Sequence, residues 1–284
     1  MKSIRVGGVP EHFNYPWHIG LKKGLFKEQN IDVTWQDFYG GTGELSRALH
    51  NDEIDVALVL TESIIKEIED GAPFKIIQEY IATPLIWGIH VAAESDYEHM
   101  NELENTTSAI SRFGSGSHLM TYVNAKNEEW DTRNLKFEVV KNLAGAVKAL
   151  PNDDAQYFMW EHFTTKPLVD NGTFRRITDC PTPWPCFVIV SKDDFIAENS
   201  SDLKNMLDTL NGITKDFKSI PKISTQLAKN YQQNEEDILE WLDLTEWSQK
   251  QINPKEVEVI QNQLEDLNLI TQKSEFKDIC KSID

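Results

Sequence analysis

Strand and helix patterns alternate through the first two thirds of this chain, and one strand, Ile54 to Leu60, is almost continuously apolar. A strand apolar on both faces belongs in a parallel sheet covered by helices on each side, so the alternation predicts an α/β fold. Ser3 to Val9 reads as the first strand, and Trp17 to Gln29 as a helix carrying Ile19, Leu21, Leu25 and Phe26. Ile31, Val33 and Trp35 alternate with polar residues as a half-buried strand does. Gly40 to Gly43 leads into a helix with Leu45, Ala48 and Leu49 on one face. Thr61-Glu62-Ser63 opens another with Ile64, Ile65 and Ile68.

After a strand from Leu85 to Ala93 the pattern restarts. Strands are expected at Ser108 to Ile110, Leu135 to Val140, Gln156 to Trp160 and Cys186 to Val190. Helices are expected at His118 to Trp130, Ala144 to Leu150 and Lys166 to Asn171. From Lys192 onward helical spacing dominates, as in Leu203, Met206, Leu207 and Leu210, then Ile238, Leu242 and Thr245, then Val257, Ile260, Leu264 and Leu267. The expected organisation is two α/β lobes, the second (91–189) inserted into the first (1–90 with 190–284). The strands Leu85 to Ala93 and Cys186 to Val190 form the paired crossings.

Charge narrows the partners. Asp and Glu number 46 against 28 Lys and Arg, a net charge of −18, which disfavours nucleic acid and anionic membrane surfaces. The three cysteines, Cys180, Cys186 and Cys280, have no metal-ligand spacing and fit a reducing compartment. The amino end enters a strand directly and lacks the apolar core of a secretory signal, so a cytoplasmic location is expected, or a periplasmic one had a signal been removed. The longest apolar run, Ile81 to Ala93, is broken by Thr83-Pro84, Gly88 and His90, and membrane insertion is not expected. The histidines lack metal spacing, and neither a P-loop lysine pattern nor G-x-G-x-x-G is present, so no metal and no cofactor are expected.

Ligands of open α/β sheets bind beyond the carboxyl ends of parallel strands. At those junctions stand Trp17 and His18, Thr42, Thr61 and Glu62, Ser111 to His118, and Trp160, Glu161 and His162. The turn Gly114-Ser115-Gly116-Ser117-His118 bends at glycines, offers serine caps and leaves first-turn N–H groups facing outward, a socket for an anion or carbonyl or simply a capped helix start. Trp17, Trp160 and Trp184 can wall a site or pack in a core. Glu62 and Glu161 can accept from a solute N–H or lie as favourable charge in a helix's first turn. His18, His118 and His162 can donate and accept. No catalytic residue is assigned: the Ser115 segment is not G-x-S-x-G, and Cys186 reads as a buried thiol.

These junctions carry a resemblance. Trp17-His18 through Gly24-Leu25-Phe26, Ile31-Asp32-Val33, Gly41-Thr42-Gly43, Ala48-Leu49 and Ile54-Asp55-Val56-Ala57 resemble the opening of the type II periplasmic-binding-protein superfamily, in the branch binding nitrate, sulfonate, taurine and thiamine pyrimidine. Ser111 to His118, Met159 to Pro167 and Pro183 to Phe187 resemble a subgroup also found in fungi without export signals. The resemblance implies two lobes with paired hinge strands that close on one small molecule, a monomer, and an ABC permease as partner. On that mapping Trp17, Thr42, Thr61, Glu62, Ser115, Gly116, Ser117, His118, Trp160, Glu161 and His162 face the ligand; His18, Ser111 and Trp184 join them from the junction reading. The expected function is that of a non-enzymatic solute-binding protein for a small polar or heteroaromatic metabolite with an anionic or carbonyl group, thiamine-pyrimidine-like or sulfonate-like. Two alternatives stand beside it: an enzyme acting on a thiamine-related pyrimidine through Cys186 or His118, although the cysteine-rich motif of that related enzyme group is absent, and a ligand-dependent sensor.

Overall fold

The computed structural model describes residues 1–283. The chain divides into two units, Met1–Thr83 with Trp184–Asp284, and Pro84–Pro183. The second is therefore inserted into the first. Its boundaries fall at Thr83/Pro84 and Pro183/Trp184 rather than at 90/91 and 189/190. Each crossing lies before its strand, β5 beginning at Ile86 and β10 at Phe187.

The first unit begins with β1 (Lys2–Gly8), α1 (Tyr15–Lys23), α2 (Leu25–Glu28), β2 (Ile31–Asp37), α3 (Thr42–His50), β3 (Val56–Leu60), α4 (Thr61–Glu69) and β4 (Phe74–Ile81). The second contains β5 (Ile86–Ala92), β6 (Thr107–Ile110), α5 (Gly116–Asn127), β7 (Lys136–Val139), α6 (Leu143–Ala149), β8 (Tyr157–Glu161), α7 (His162–Asp170) and β9 (Phe174–Pro181). The chain then returns through β10 (Phe187–Lys192), α8 (Asp193–Lys215), α9 (Ile223–Tyr231), α10 (Glu235–Leu244), α11 (Pro254–Asp266) and α12 (Phe276–Ile279).

Each unit holds a five-stranded sheet, ordered β2-β1-β3-β10-β4 and β7-β6-β8-β5-β9. The two share one plan. Three parallel strands lie side by side, and the strand that enters after a crossing runs antiparallel beside them: β10 between β3 and β4, β5 between β8 and β9. The parallel part follows from the apolar strands: Ile4 and Val6 of β1 and Val56 to Val59 of β3 are buried. Ile64, Ile65 and Ile68 of α4 and Leu45, Ala48 and Leu49 of α3 are buried in the same unit. A smaller core in the second unit gathers Ala109, Val140, Ala146, Ala149, Leu150, Phe158 and Phe174.

The helix expected over Trp17 to Gln29 is two helices. Gly24 adopts φ 71°, and its N–H caps the carbonyls of Gly20 and Leu21, ending α1 before α2 begins. The strands β4 and β9 are not announced by the alternation. β4 carries buried Gln78 and Glu79, and Gln78 exchanges two side-chain hydrogen bonds with Asn211 (2.8 and 3.0 Å), so polar residues sit where an apolar pattern is sought. No helix is long and apolar enough to cross a membrane among the described residues.

Candidate functional site

In the first unit the parallel strands β1, β2 and β3 end on one edge, and the residues that follow them carry the unit's most exceptional polar groups. Leu60 of β3 donates its N–H to Thr42 Oγ1 (3.1 Å), so the start of α3 is fastened to the strand beside it. Thr61 donates its N–H to the carbonyl of Cys186 (3.1 Å), which ties the start of α4 to β10's approach. Glu62 follows and is fully buried. One carboxylate oxygen, Oε2, accepts from the indole Nε1 of Trp184 (3.0 Å); the other, Oε1, has no partner. Thr61 Oγ1 and Ser63 Oγ are likewise buried and unpartnered. Three consecutive residues with bare polar atoms are uncommon in a folded interior, where such atoms are almost always paired. No ion pair neutralises Glu62 among the described residues, and burial pushes its carboxyl up to about 7 against the opposing hydrogen bonds. It is a proton-carrying group poised near neutrality.

Trp17 and His18 lie in α1, and Trp17 Nε1 is likewise buried without a hydrogen-bond partner. The indole of Trp17 is fully buried, stacked on Phe26 at 5.7 Å and beside Trp35 at 5.9 Å. His18 packs against Trp35 at 5.2 Å and lines a groove of about 780 Å³ with Tyr15, Lys22, Asp37 and Tyr231. Burial lowers its pKa, with Asp37 opposing.

In the second unit the turn before α5 is a connected hydroxyl network. Gly114 takes φ 76°, a left-handed conformation that suits glycine. Ser115 is the N-cap and accepts from the His118 N–H (3.3 Å). Ser117 Oγ accepts from the Ser111 N–H (3.0 Å) and lies 3.1 Å from both Ser111 Oγ and Ser115 Oγ. The N–H groups of Gly116 and Ser117 lie in the first turn, where a helix supplies no acceptor. His118 Nδ1 accepts from the Gly114 N–H (3.1 Å), and its ring is flanked by Phe113, Tyr122 and Phe137. Accepting at Nδ1 leaves the neutral ring's proton on Nε2.

At the end of β8, Trp160 stacks on Phe158 (5.2 Å) and meets Trp87 edge-on (6.4 Å). Glu161 is buried and caps α7: its Oε2 accepts from the Thr164 N–H at 2.6 Å. Burial raises its pKa against that hydrogen bond. His162 Nδ1 lies 2.9 Å from Asp179 Oδ1 of β9. The two carboxylates that looked alike in sequence thus differ. Glu161 holds a helix end, whereas Glu62 keeps one oxygen bare.

The structure adds groups that the junction reading passes over. His12 lies four residues beyond β1, fully buried with neither ring nitrogen hydrogen-bonded. A boundary for β1 at Gly8 is the signal that points to it, since the residues next after a strand carry the sheet's binding edge. Trp241, stacked on His12 at 4.2 Å, comes from α10, a helix that the spacing of Ile238 and Leu242 announces without marking Trp241 as a partner of His12. Among the described residues no group of three His, Cys, Asp or Glu side chains is placed to hold a metal ion.

Comparison with solved structures places this architecture. The Candida albicans CA3427 gene product, described as defining a new family with the generic periplasmic binding protein fold, matches with a TM-score of 0.90 at 24% identity, covering 100% of this chain and 97% of that one. This chain has the type II periplasmic-binding-protein fold. The alkanesulfonate-binding protein SsuA from Xanthomonas axonopodis pv. citri, solved bound to MOPS, shares the fold with a TM-score of 0.83 at 14% identity, covering 99% of each chain. The nitrate-binding protein NrtA from Synechocystis PCC 6803 shares it with a TM-score of 0.71 at 15% identity, covering 98% of this chain and 84% of that one. Residues 87–180 match the model of the Ca3427-like PBP family, a span lying wholly within the inserted unit. No curated protein sequence matches. The resemblance read from the opening segments and from Ser111 to Phe187 therefore stands at the level of the binding-protein fold.

Proposed function

We propose that this protein binds, without transforming it, a small solute with an oxygen-acceptor end and an N–H donor end. The observation that carries the reading is Glu62: a buried carboxyl group with one oxygen held by Trp184 and the other bare. A bare buried oxygen costs roughly 1–3 kcal/mol in the free protein, and a solute N–H offsets that cost on binding. Within the second unit, the turn from Ser111 to His118 has the character an anionic or carbonyl oxygen needs, because its first-turn N–H groups lie beside a serine network. A non-enzymatic role agrees with neighbours that are themselves named as binding proteins.

The sulfonate class is supported by the chemistry of MOPS, found bound to SsuA, which carries a sulfonate at one end and a basic ring nitrogen at the other. MOPS is accordingly the first probe. Calorimetric titration is expected to show saturable binding, weakened about tenfold or more by Glu62→Gln, which removes a hydrogen bond to a charged group, and weakened also by Ser117→Ala, which removes the hydroxyl that ties Ser111 and Ser115 together and sets the turn. Unchanged affinity in both variants sinks the placement of the solute.

A further inference from the structure

We propose that His12 and the indole N–H of Trp241 are solute-contacting groups of the first unit that hold an oxygen acceptor of the solute; this rests on the solute-binding reading above.

His12 is 1% exposed and Trp241 1% exposed, yet both imidazole nitrogens and the indole Nε1 lack partners. Buried nitrogens left bare on two stacked rings demand an absent partner. The rings lie 4.2 Å apart at 28°, with Phe13 and Tyr231 edge-on to the imidazole at 5.2 and 5.7 Å. All three ring neighbours are uncharged, and burial pushes the imidazole down to about 3, so the ring is neutral. A neutral imidazole has one donor and one acceptor, and an indole only donates. Two donors against one acceptor select a group that accepts, which is an oxygen of the carbonyl, ether or sulfonyl kind.

The turn presenting His12 is built rather than incidental. The carbonyl of Phe13 accepts from Tyr80 Oη (2.7 Å) and Trp247 Nε1 (3.2 Å), Asn14 Nδ2 donates to the carbonyl of Val9 (2.8 Å), and Tyr231 Oη donates to that of Glu11 (3.1 Å). Four side chains therefore fix the backbone on both sides of the imidazole while leaving its nitrogens bare. A ring needed only as filler is served equally by phenylalanine, which pays no penalty for buried nitrogens.

His12→Phe keeps the ring and the stack and removes both nitrogens. The expected result is a melting temperature of the free protein equal to or above that of wild type, with affinity for MOPS weakened about tenfold. A packing role alone leaves the affinity where it was. In wild-type protein with ¹⁵N-labelled histidine, the His12 ring signals, assigned by their loss in the variant, are expected to move on saturation with MOPS. If His12→Phe does not fold, a second variant, Trp241→Phe, identifies the same signals by proximity. Should His12→Phe bind MOPS as tightly as wild type while Glu62→Gln does not, or should the His12 signals stay fixed as for a water-bound ring, this inference is overturned and the solute reading survives. Absence of MOPS binding by wild-type protein overturns both.

Discussion

Glu62→Gln is expected to stabilise the protein by up to about 3 kcal/mol at pH 8 and to leave it nearly unchanged at pH 4. The cause is the burial that raises this carboxyl from its ordinary 4.5 to about 7. Because the folded chain holds the proton more tightly than the unfolded chain, the group carries no penalty below about pH 4.5, a growing one as pH rises, and the full penalty above about 7. Glutamine is neutral throughout and can still accept from Trp184 at its amide oxygen, so the difference between variant and wild type isolates this one proton. Urea melts at the two pH values measure it. An equal difference at both would mean that Glu62 is not the desolvated group described here, and the placement of a solute N–H beside it would lose its basis.

Gly145→Ala is expected to cost about 3 kcal/mol, a severe overpacking for one methyl group. A Cβ at this position would lie 1.8 Å from the carbonyl oxygen of Val140 and 2.8 Å from its carbon. The neighbour is backbone, which cannot rotate aside. The start of α6 is also pinned: the Gly145 N–H donates to both the carbonyl and Oδ1 of Asn142, each at 3.0 Å. Any shift strains that cap and the contacts of Val140 and Ala146 in the second unit's core. Gly212 is the internal contrast. It lies inside α8, and a Cβ there meets nothing within 4 Å, so Gly212→Ala is expected to stabilise by roughly 0.5–1 kcal/mol through helix propensity. Chemical denaturation of the two variants side by side separates the effects; two changes of the same sign would contradict the packing around Val140.

The parallel parts of both sheets are legible in the sequence because their strands are apolar and their helices amphipathic, the two periods that burial on two faces imposes. The antiparallel strands are less so. β4 hides behind buried Gln78 and Glu79, whose hydrogen-bond partners lie far along the chain and leave no local trace. The candidate site divides in the same way. Thr61, Glu62 and the Ser111 to His118 turn stand out as candidates in the sequence because they follow strands directly. Distinguishing Glu62 from Glu161 requires knowing that Thr164 occupies one and that nothing among the described residues occupies the bare oxygen of the other. Trp17 carries the same junction signal as Glu62; its ring stacks on Phe26 while its Nε1 stays buried and bare, a pairing that sequence position does not reveal. His12 and Trp241 meet only because a carboxy-terminal helix returns to the edge of the first sheet, a contact that no local pattern encodes.

The central claim is that this chain retains a small solute through polar groups at its strand ends, and native mass spectrometry tests it most directly. Protein purified in a buffer free of sulfonates and heterocyclic bases, then mixed with MOPS over a range of concentrations, is expected to show a discrete one-to-one mass increment. The same increment is expected to fall away in Glu62→Ala. Bare chain mass under every condition, or an increment unchanged in Glu62→Ala, contradicts the account.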